Sequence, residues 1–175
     1  STIDDAAGEA FDKGAKILGL PYPGGQLIDE FAAQGNKDFH KFPVSHVPEL
    51  NFSFSGVKTS LLYYLQKQNP SFLVNNRNDI CASYQKAIID MLFLKLNRAV
   101  RKYKPKSLAL AGGVSANSEL RNQILNKAKN EGLKSYIPSF EYCTDNAAMI
   151  AAAAAMVFDT HEFASLSQNL YTKWN

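Results

Sequence analysis

The region after residue 106 constrains the fold most strongly, because its pattern changes twice from strand to helix. Ser107–Ala111 is a short apolar run that ends in Gly112-Gly113, and residues 116–130 then repeat apolar positions at helical spacing. Lys134–Ile137 predicts a second strand, and a final helix is expected to follow it. Strands that alternate with helices pair in parallel. We therefore expect an α/β fold in which a short parallel sheet accompanies a helix-rich chain.

The rest of the chain predicts helices and loops. Either Asp4 or Asp5 is expected to cap the first helix, residues 36–50 are expected to form a loop, and Pro70 is expected to interrupt helical structure. A two-stranded sheet is marginal alone, so we expect further strands outside the chain and a sheet edge that favours self-association. The other predicted helices span residues 4–18, 26–34, 57–68, 78–103 and 144–158.

Composition limits the class of protein without identifying it. Of the 175 residues, 46% are hydrophobic, which is enough to form the core of one domain or one lobe. The longest uncharged apolar run, residues 146–158, is shorter than the roughly 18 to 20 residues that cross a bilayer. Two cysteines do not indicate a disulfide framework, so a reducing cytoplasm is expected. The net charge of +3 is compatible with an RNA partner but does not require one.

A cluster of basic residues follows the longest predicted helix. It contains Arg98, Arg101, Lys102, Lys104 and Lys106. Cations near a helix C-terminus interact favourably with the helix dipole. The favoured interpretation from sequence is a solvated helix end.

Three groups of residues are candidates for binding chemistry. Gly112, Gly113 and Asn117 lie where a strand gives way to a helix, the position at which α/β sheets bind ligands, although an ordinary structural turn is the favoured interpretation from these residues alone. The carboxylates of Asp12 and Asp29, which lie to either side of Gly25, could accept hydrogen bonds from a ribose diol, although a solvated helix face is the favoured interpretation of Asp12 from sequence alone. Asp145 is either a helix cap or a hard oxygen ligand for a metal.

Four segments resemble one protein family in their order and spacing. They are DDAAGEAFDKGAKILGLPYPGG (4–25), FSFSGVKT (52–59), AGGVSANSELR (111–121) and CTDNAAMIA (143–151). The chain is similar in these segments to the tRNA threonylcarbamoyladenosine transferases, formerly described as O-sialoglycoprotein endopeptidases. The resemblance covers about residues 1–158, which we expect to be the C-terminal lobe, whereas residues 159–175 form a tail without a motif.

This resemblance implies an actin-like, two-lobed, ATP-binding fold and a specific acyl transfer. The family moves a threonylcarbamoyl group from threonylcarbamoyl-adenylate to N6 of the adenosine beside the anticodon, in tRNAs that read codons beginning with A. Expected partners are therefore tRNA, the adenylate or ATP, and other subunits of the modification assembly. By motif position, Asp12, Gly25 and Asn117 correspond to adenylate contacts, Asp29 is an added candidate, and Asp145 corresponds to a ligand of iron or zinc.

Two family motifs are not in this sequence, and two other functions are alternatives. The paired HxxxH metal ligands and the glycine-rich SGGHT phosphate loop lie upstream in the family, so the chain is expected to begin mid-protein and to be inactive alone. A metallo-endopeptidase would need about three protein ligands for its metal, and this sequence offers one. A non-catalytic actin-like scaffold lobe is the other alternative.

Overall fold

A computed structural model describes residues 1–160, together with 163, 165 and 167. Contacts divide the chain into one unit from Ser1 to Cys143 and a second from Thr144 to Asn175. Among the described helices, none is both long and apolar enough to cross a membrane. The described helices and strands, in chain order, are α1 (Ala7–Ile17), α2 (Gly24–Ala32), α3 (Ser55–Gln66), α4 (Pro70–Tyr103), β1 (Ser107–Ala109), α5 (Ser118–Asn130), β2 (Lys134–Tyr136) and α6 (Ala147–Val157).

The first unit contains a parallel β-α-β arrangement, as the sequence predicts. Strands β1 and β2 pair in parallel, with Leu108 opposite Ser135, and α5 connects them. Leu108 is the buried residue of β1 and packs with Leu120, Ile124 and Ala128 of α5. The helix-rich α/β class with a short parallel sheet is thus confirmed.

A second, larger core lies among the helices that precede the sheet. Helices α1, α2, α3 and the first half of α4 bury mainly aliphatic and aromatic side chains against one another. Tyr84 of α4 is completely buried, and its hydroxyl donates a hydrogen bond of 2.8 Å to the carbonyl oxygen of Ala10 in α1. Burial, the larger cause, and the nearby Asp5 charge both raise the pKa of this phenol well above its usual value. Helix α4 joins the two cores, because Ile88 belongs to the helical core and Ile89 to the core beside the sheet.

Several predicted boundaries are corrected. Pro70 begins α4 at its first position, where its missing N–H is not needed, and a kink at Asn76 separates the short first part from the long helix. Helix α2 begins at Gly24, two residues before its predicted start. A 3-10 turn at Gly113–Ala116 precedes α5 and delays its start to Ser118. Residues 36–50 form a loop without helix or strand, as expected.

The largest correction concerns helix caps. Neither Asp4 nor Asp5 caps α1, whose preceding residue is Ala6. Asp4 instead accepts hydrogen bonds from the backbone N–H groups of Phe54 and Ser55, at 2.8 and 3.3 Å, and so caps α3 from a distance of fifty residues in sequence. A carboxylate near a helix N-terminus is favourable whichever part of the chain supplies it.

Asp4 and Asp5 connect two of the segments that resemble the family, residues 4–25 and residues 52–59. The hydroxyls of Ser53 and Ser55 donate to Asp4, at 2.5 and 2.7 Å. Asp5 forms ion pairs with Lys13 at 2.6 Å and with Lys58 at 3.3 Å. The FSFSGVKT segment therefore has a structural role, which is to hold α3 against the start of α1.

Candidate functional site

Asp12 lies on α1 and faces the beginning of α2. Its Oδ1 atom accepts hydrogen bonds from the backbone N–H groups of Gly24 at 3.0 Å and Gly25 at 3.3 Å. These groups are among the unpaired donors of the first helical turn, so Asp12 caps α2. Its other oxygen, Oδ2, accepts no hydrogen bond from the described residues. Asp12 thus keeps one carboxylate oxygen available to a ligand.

The two glycines at the start of α2 have different roles. A Cβ atom on Gly24 would lie 2.3 Å from the Cβ of Ala15, so this glycine allows α1 and α2 to approach closely. A Cβ on Gly25 would have ordinary contact with Phe11, at 3.5 Å. The fold therefore requires glycine at residue 24, which sequence reasoning missed, but does not require it at residue 25.

Asp29 lies one helical turn after Gly25, on the same side of α2. Its Oδ2 accepts the backbone N–H of Ser118 at 2.8 Å, and its Oδ1 accepts the Ser118 hydroxyl at 2.9 Å. Asp29 thereby assists the start of α5, as Asp12 does for α2. Asp12 and Asp29 each bind the N-terminus of a helix other than their own. Local sequence patterns do not reveal such contacts.

Asn117 contacts Asp29, and hydrogen bonds within the fold hold its side-chain amide in place. Its Oδ1 accepts the backbone N–H of Leu120 at 2.9 Å, which makes Asn117 the N-cap of α5. Its Nδ2 donates to Asp29 at 3.2 Å and to Gln85 at 2.7 Å. Gln85 is buried and had not been predicted; the one sequence signal is a glutamine among small and apolar residues of α4. The Asn117 side chain therefore has a structural role in addition to any contact with a ligand.

The glycine turn before α5 is open. Gly112 has a φ of 78°, a left-handed conformation that favours glycine, and a Cβ at either Gly112 or Gly113 would meet nothing within 4 Å. Behind the turn, Arg121 donates to the carbonyl oxygens of Ser115 at 2.9 Å and Pro138 at 2.7 Å. Arg121 therefore holds the end of the turn in place, whereas the backbone at Gly112 and Gly113 is exposed.

The structure thus brings together Asp12 with Gly25 and Asp29 with Asn117, along one side of α2. A cavity of about 320 Å³ adjoins this surface, and its lining includes Asp29, Gln85 and Ser118. A larger cavity of about 550 Å³ lies elsewhere, beside α3, with His40 and Tyr64 among its lining residues. Sequence reasoning did not predict that second cavity.

Asp145 belongs to the second unit, where it is not the cap of α6. That role is taken by Asn146, whose Oδ1 accepts the backbone N–H of Met149 at 3.0 Å. Within this unit, Asp145 accepts no hydrogen bond from the described residues. The interpretation of Asp145 as the cap of this helix is therefore wrong.

The donor set for iron or zinc is incomplete in this part of the protein. No three His, Cys, Asp or Glu side chains among the described residues converge in a way that could hold a metal ion. Tight binding of a transition metal normally needs three or four protein ligands. The described residues therefore do not fit a complete metal centre, although Asp145 could supply one ligand.

Comparison with known proteins decides the family. The family model described as TsaD, tRNA N6-adenosine threonylcarbamoyltransferase, matches residues 1–152. The chain belongs to this transferase family. It is 53% identical over 166 residues to a tRNA N6-adenosine threonylcarbamoyltransferase of Cytophaga hutchinsonii, with 93% of this chain and 48% of the relative covered. The resemblance of the four segments is thereby confirmed.

Other members of the transferase family give the same result. The protein of this name from Christiangramia forsetii is 49% identical, with 99% of this chain and 52% of the relative covered. The one from Phocaeicola vulgatus is 45% identical, with 98% and 52% covered. The chain therefore spans about half the length of these relatives.

Proposed function

We propose that this chain forms the nucleoside-holding part of a tRNA N6-adenosine threonylcarbamoyltransferase with an actin-like, two-lobed fold. The reaction moves the threonylcarbamoyl group from threonylcarbamoyl-adenylate to N6 of the adenosine next to the anticodon, in tRNAs that read codons beginning with A. Family membership supports this proposal. The observation that carries it to particular residues is that α2 has Asp12 bound at its first turn and the Asp29–Asn117 pair in its middle.

The chemistry of this surface suits the ribose end of an adenylate. The free Oδ2 of Asp12 can accept a hydrogen bond from a ribose hydroxyl, and such a bond to a charged acceptor is stronger than a neutral one. Both amide hydrogens of Asn117 are used within the fold, so its remaining capacity is a second lone pair on Oδ1. Asn117 would therefore accept a hydrogen bond from the ligand while it holds Asp29 in position.

Charge argues against phosphate at the starts of α2 and α5. Helix N-termini often bind anions, but here Asp12 and Asp29 already occupy that role. A phosphate beside these carboxylates would be repelled. The open backbone at Gly112 and Gly113 is the better place for the remainder of the ligand, and the family's phosphate loop would supply the other contacts.

In this proposal the protein supplies binding geometry and the tRNA supplies the nucleophile. The adenosine N6 attacks the carbamoyl carbon of the adenylate, AMP leaves, and the proton is lost from N6. No serine or cysteine nucleophile is needed. We propose Asp145 as one ligand of an iron or zinc ion whose other ligands lie outside the described residues, and we assign no step to that ion.

The scaffold alternative is supported by one specific observation. Asp12, Asp29 and Asn117 all hold the fold together, so a non-catalytic lobe would need them as well. Asp145 distinguishes the two functions more clearly. No described residue of its unit forms a hydrogen bond with its carboxylate, so a scaffold would not need it. The endopeptidase alternative gains no support from the described residues, which form no three-ligand cluster.

A chimera tests the proposed function. This chain would replace the matching half of the Cytophaga hutchinsonii protein, and the product would be incubated with the adenylate, an unmodified tRNA transcript and the other subunits of the modification assembly. Mass spectrometry of the digested tRNA should show threonylcarbamoyladenosine for the chimera and none for the 175-residue chain alone. A folded chimera that leaves the tRNA unmodified would oppose the proposal, and modification by the chain alone would show that the site is misplaced.

A further inference from the structure

The C-terminal end of α4 and the starts of the two strands form a cationic surface that the proposed site does not use. The sequence from 96 to 118 contains five Lys or Arg residues and no Asp or Glu. The parallel pairing adds a cation, because the backbone N–H of Lys134 donates to the carbonyl oxygen of Lys106 at 3.1 Å. We define this surface as the basic end, which consists of Arg98, Arg101, Lys102, Lys104, Lys106 and Lys134.

The charges of the basic end are exposed and uncompensated. All six residues are exposed, and none forms an ion pair within the described part of the chain. Arg101 and Lys102 lie three and four residues after Arg98, so they share one face of α4 with it. The opposite face, at Leu96 and Val100, packs on the core beside the sheet.

The helix dipole does not account for this whole arrangement. It favours cations in the last helical turn, which describes Arg101 and Lys102. It does not explain the cations beyond the helix at Lys104 and Lys106, nor Lys134 on the other strand. Like charges at close range repel one another, so holding them together without a counterion has a cost that an anionic partner would remove.

Two exposed tyrosines accompany the cations. Tyr103 is 63% exposed and lies beside Lys102, whose Nζ is 5.2 Å from the centre of its ring. Tyr136 is 59% exposed and follows Lys134 by two residues, on the same side of β2. Cations interleaved with exposed aromatic rings are typical of surfaces that bind RNA, in which phosphates pair with the cations and unpaired bases stack on the rings.

We infer that the basic end binds the phosphate backbone of the tRNA substrate, away from the nucleoside surface along α2. This inference rests on the proposed function, which supplies a tRNA as partner. An anionic membrane is the less suitable partner, because surface binding by a helix uses a broad apolar face beside the cations. The six residues and the two tyrosines offer no such face.

The test compares two sets of charge reversals in the 175-residue chain. The first variant is R98E/R101E/K102E. The matched control is K16E/K37E/K41E, which reverses three exposed lysines that form no ion pair among the described residues. Binding of a fluorescent, unmodified tRNA transcript would be measured by anisotropy at several salt concentrations, with circular dichroism to confirm folding.

We expect the first variant to weaken tRNA binding at least tenfold and the control by about twofold or less. Because each neutralised phosphate contact contributes nearly one unit to the slope of log K against log salt, the slope should become shallower by about 2 to 3 in the first variant alone. K104G is a second variant that tests tRNA binding. It should not destabilise the fold, because Lys104 has a φ of 46°, which favours glycine. It should weaken binding severalfold.

The outcomes separate this inference from the proposed function. Equal losses in the two triple variants would show that net charge alone is responsible, and would overturn the basic end while leaving the transferase assignment intact. No binding of tRNA by the unaltered chain would overturn the inference and would also weaken the choice of substrate. Loss of binding to vesicles of phosphatidylcholine and phosphatidylserine, with tRNA binding unchanged, would assign the surface to a membrane instead.

Discussion

The amide of Asn117 donates a hydrogen bond to the carboxylate of Asp29 across 88 residues of sequence, at 3.2 Å. This contact joins the start of α5 to the middle of α2, and Gln85 of α4 accepts the other amide hydrogen. Two residues that the family resemblance assigns to ligand binding therefore also hold three helices together. Their substitution should affect stability as well as binding.

Replacement of Asn117 by alanine should lower the free energy of unfolding by about 1 to 3 kcal/mol. The change removes the cap of α5 and leaves the buried Gln85 oxygen without its donor. Urea denaturation followed by circular dichroism measures the effect. Asn122→Ala, at an exposed position of the same helix, is the matched control and should change stability by less than about 0.5 kcal/mol. Equal effects from the two variants would refute the structural role of Asn117.

The two glycines at the start of α2 should respond differently to alanine. Gly24→Ala places a methyl group 2.3 Å from Ala15 and should destabilise the chain by about 1 to 3 kcal/mol, through overpacking between α1 and α2. Gly25→Ala makes an ordinary contact with Phe11 and should leave stability within about 1 kcal/mol of the original. Thermal unfolding of both variants provides the comparison. The reverse order would mean that the packing of these helices is misassigned.

The contribution of Asp4 predicts a specific dependence of stability on acid pH. Burial acts to raise the pKa of this carboxyl, but hydrogen bonds from Ser53, Phe54 and Ser55 outweigh it and lower the pKa from 3.8 to about 2. A carboxyl whose pKa is lower in the folded state stabilises the fold above its unfolded pKa. That contribution is lost as pH falls from about 3.8 through about 2.

Asp4→Asn should therefore reduce stability at neutral pH and flatten the decline of unfolding free energy between pH 4 and pH 2, roughly the interval between the two pKa values. Denaturant titrations at a series of pH values measure this change. Asp38→Asn is the control, since the Asp38 carboxylate takes part in no hydrogen bond among the described residues. A decline as steep in Asp4→Asn as in the original chain would contradict the distant cap.

Sequence patterns predict the helices and strands of this fold better than they predict the contacts between them. Periodicity locates α5 and the parallel strands because those signals are local. The caps are not local: Asp4, Asp12 and Asp29 each satisfy the N-terminus of a helix elsewhere in the chain. A carboxylate in sequence carries no mark of which helix it will meet, so the predicted caps at Asp4 and Asp5 were wrong.

In the candidate site, too, the sequence indicates the residues but not the contacts between them. Motif resemblance points to Asp12, Asp29 and Asn117, but their mutual contacts follow only from how α1, α2 and α5 pack. Gly24 and Gln85 support these residues without belonging to a binding pattern that sequence alone would reveal. Pro70 follows the end of α3, as expected, but the start of α4 was predicted too late, because proline is as suitable at the first position of a helix as it is after the end of one.

Asp145 offers the clearest test of enzyme against scaffold. In the chimera, Asp145→Ala should abolish modification of tRNA while helix content is unchanged, because Asn146 caps α6. Asn146→Ala is the matched variant and should cost about 1 kcal/mol of stability while modification is retained at permissive temperature. Nucleoside mass spectrometry and circular dichroism measure the two effects. Full modification by Asp145→Ala would remove this residue from the site.

In the proposed function, the surface along α2 holds the ribose of the adenylate through the free oxygen of Asp12. Calorimetric titration of the chimera with adenosine and with 2′,3′-dideoxyadenosine tests it most directly, in the original sequence and in Asp12→Asn, which can keep the oxygen that caps α2. We predict that loss of the hydroxyls weakens binding roughly tenfold or more in the original, the effect of one charge-assisted hydrogen bond, and by much less in Asp12→Asn. Equal affinities for the two nucleosides, or the same difference in both proteins, would contradict the claim.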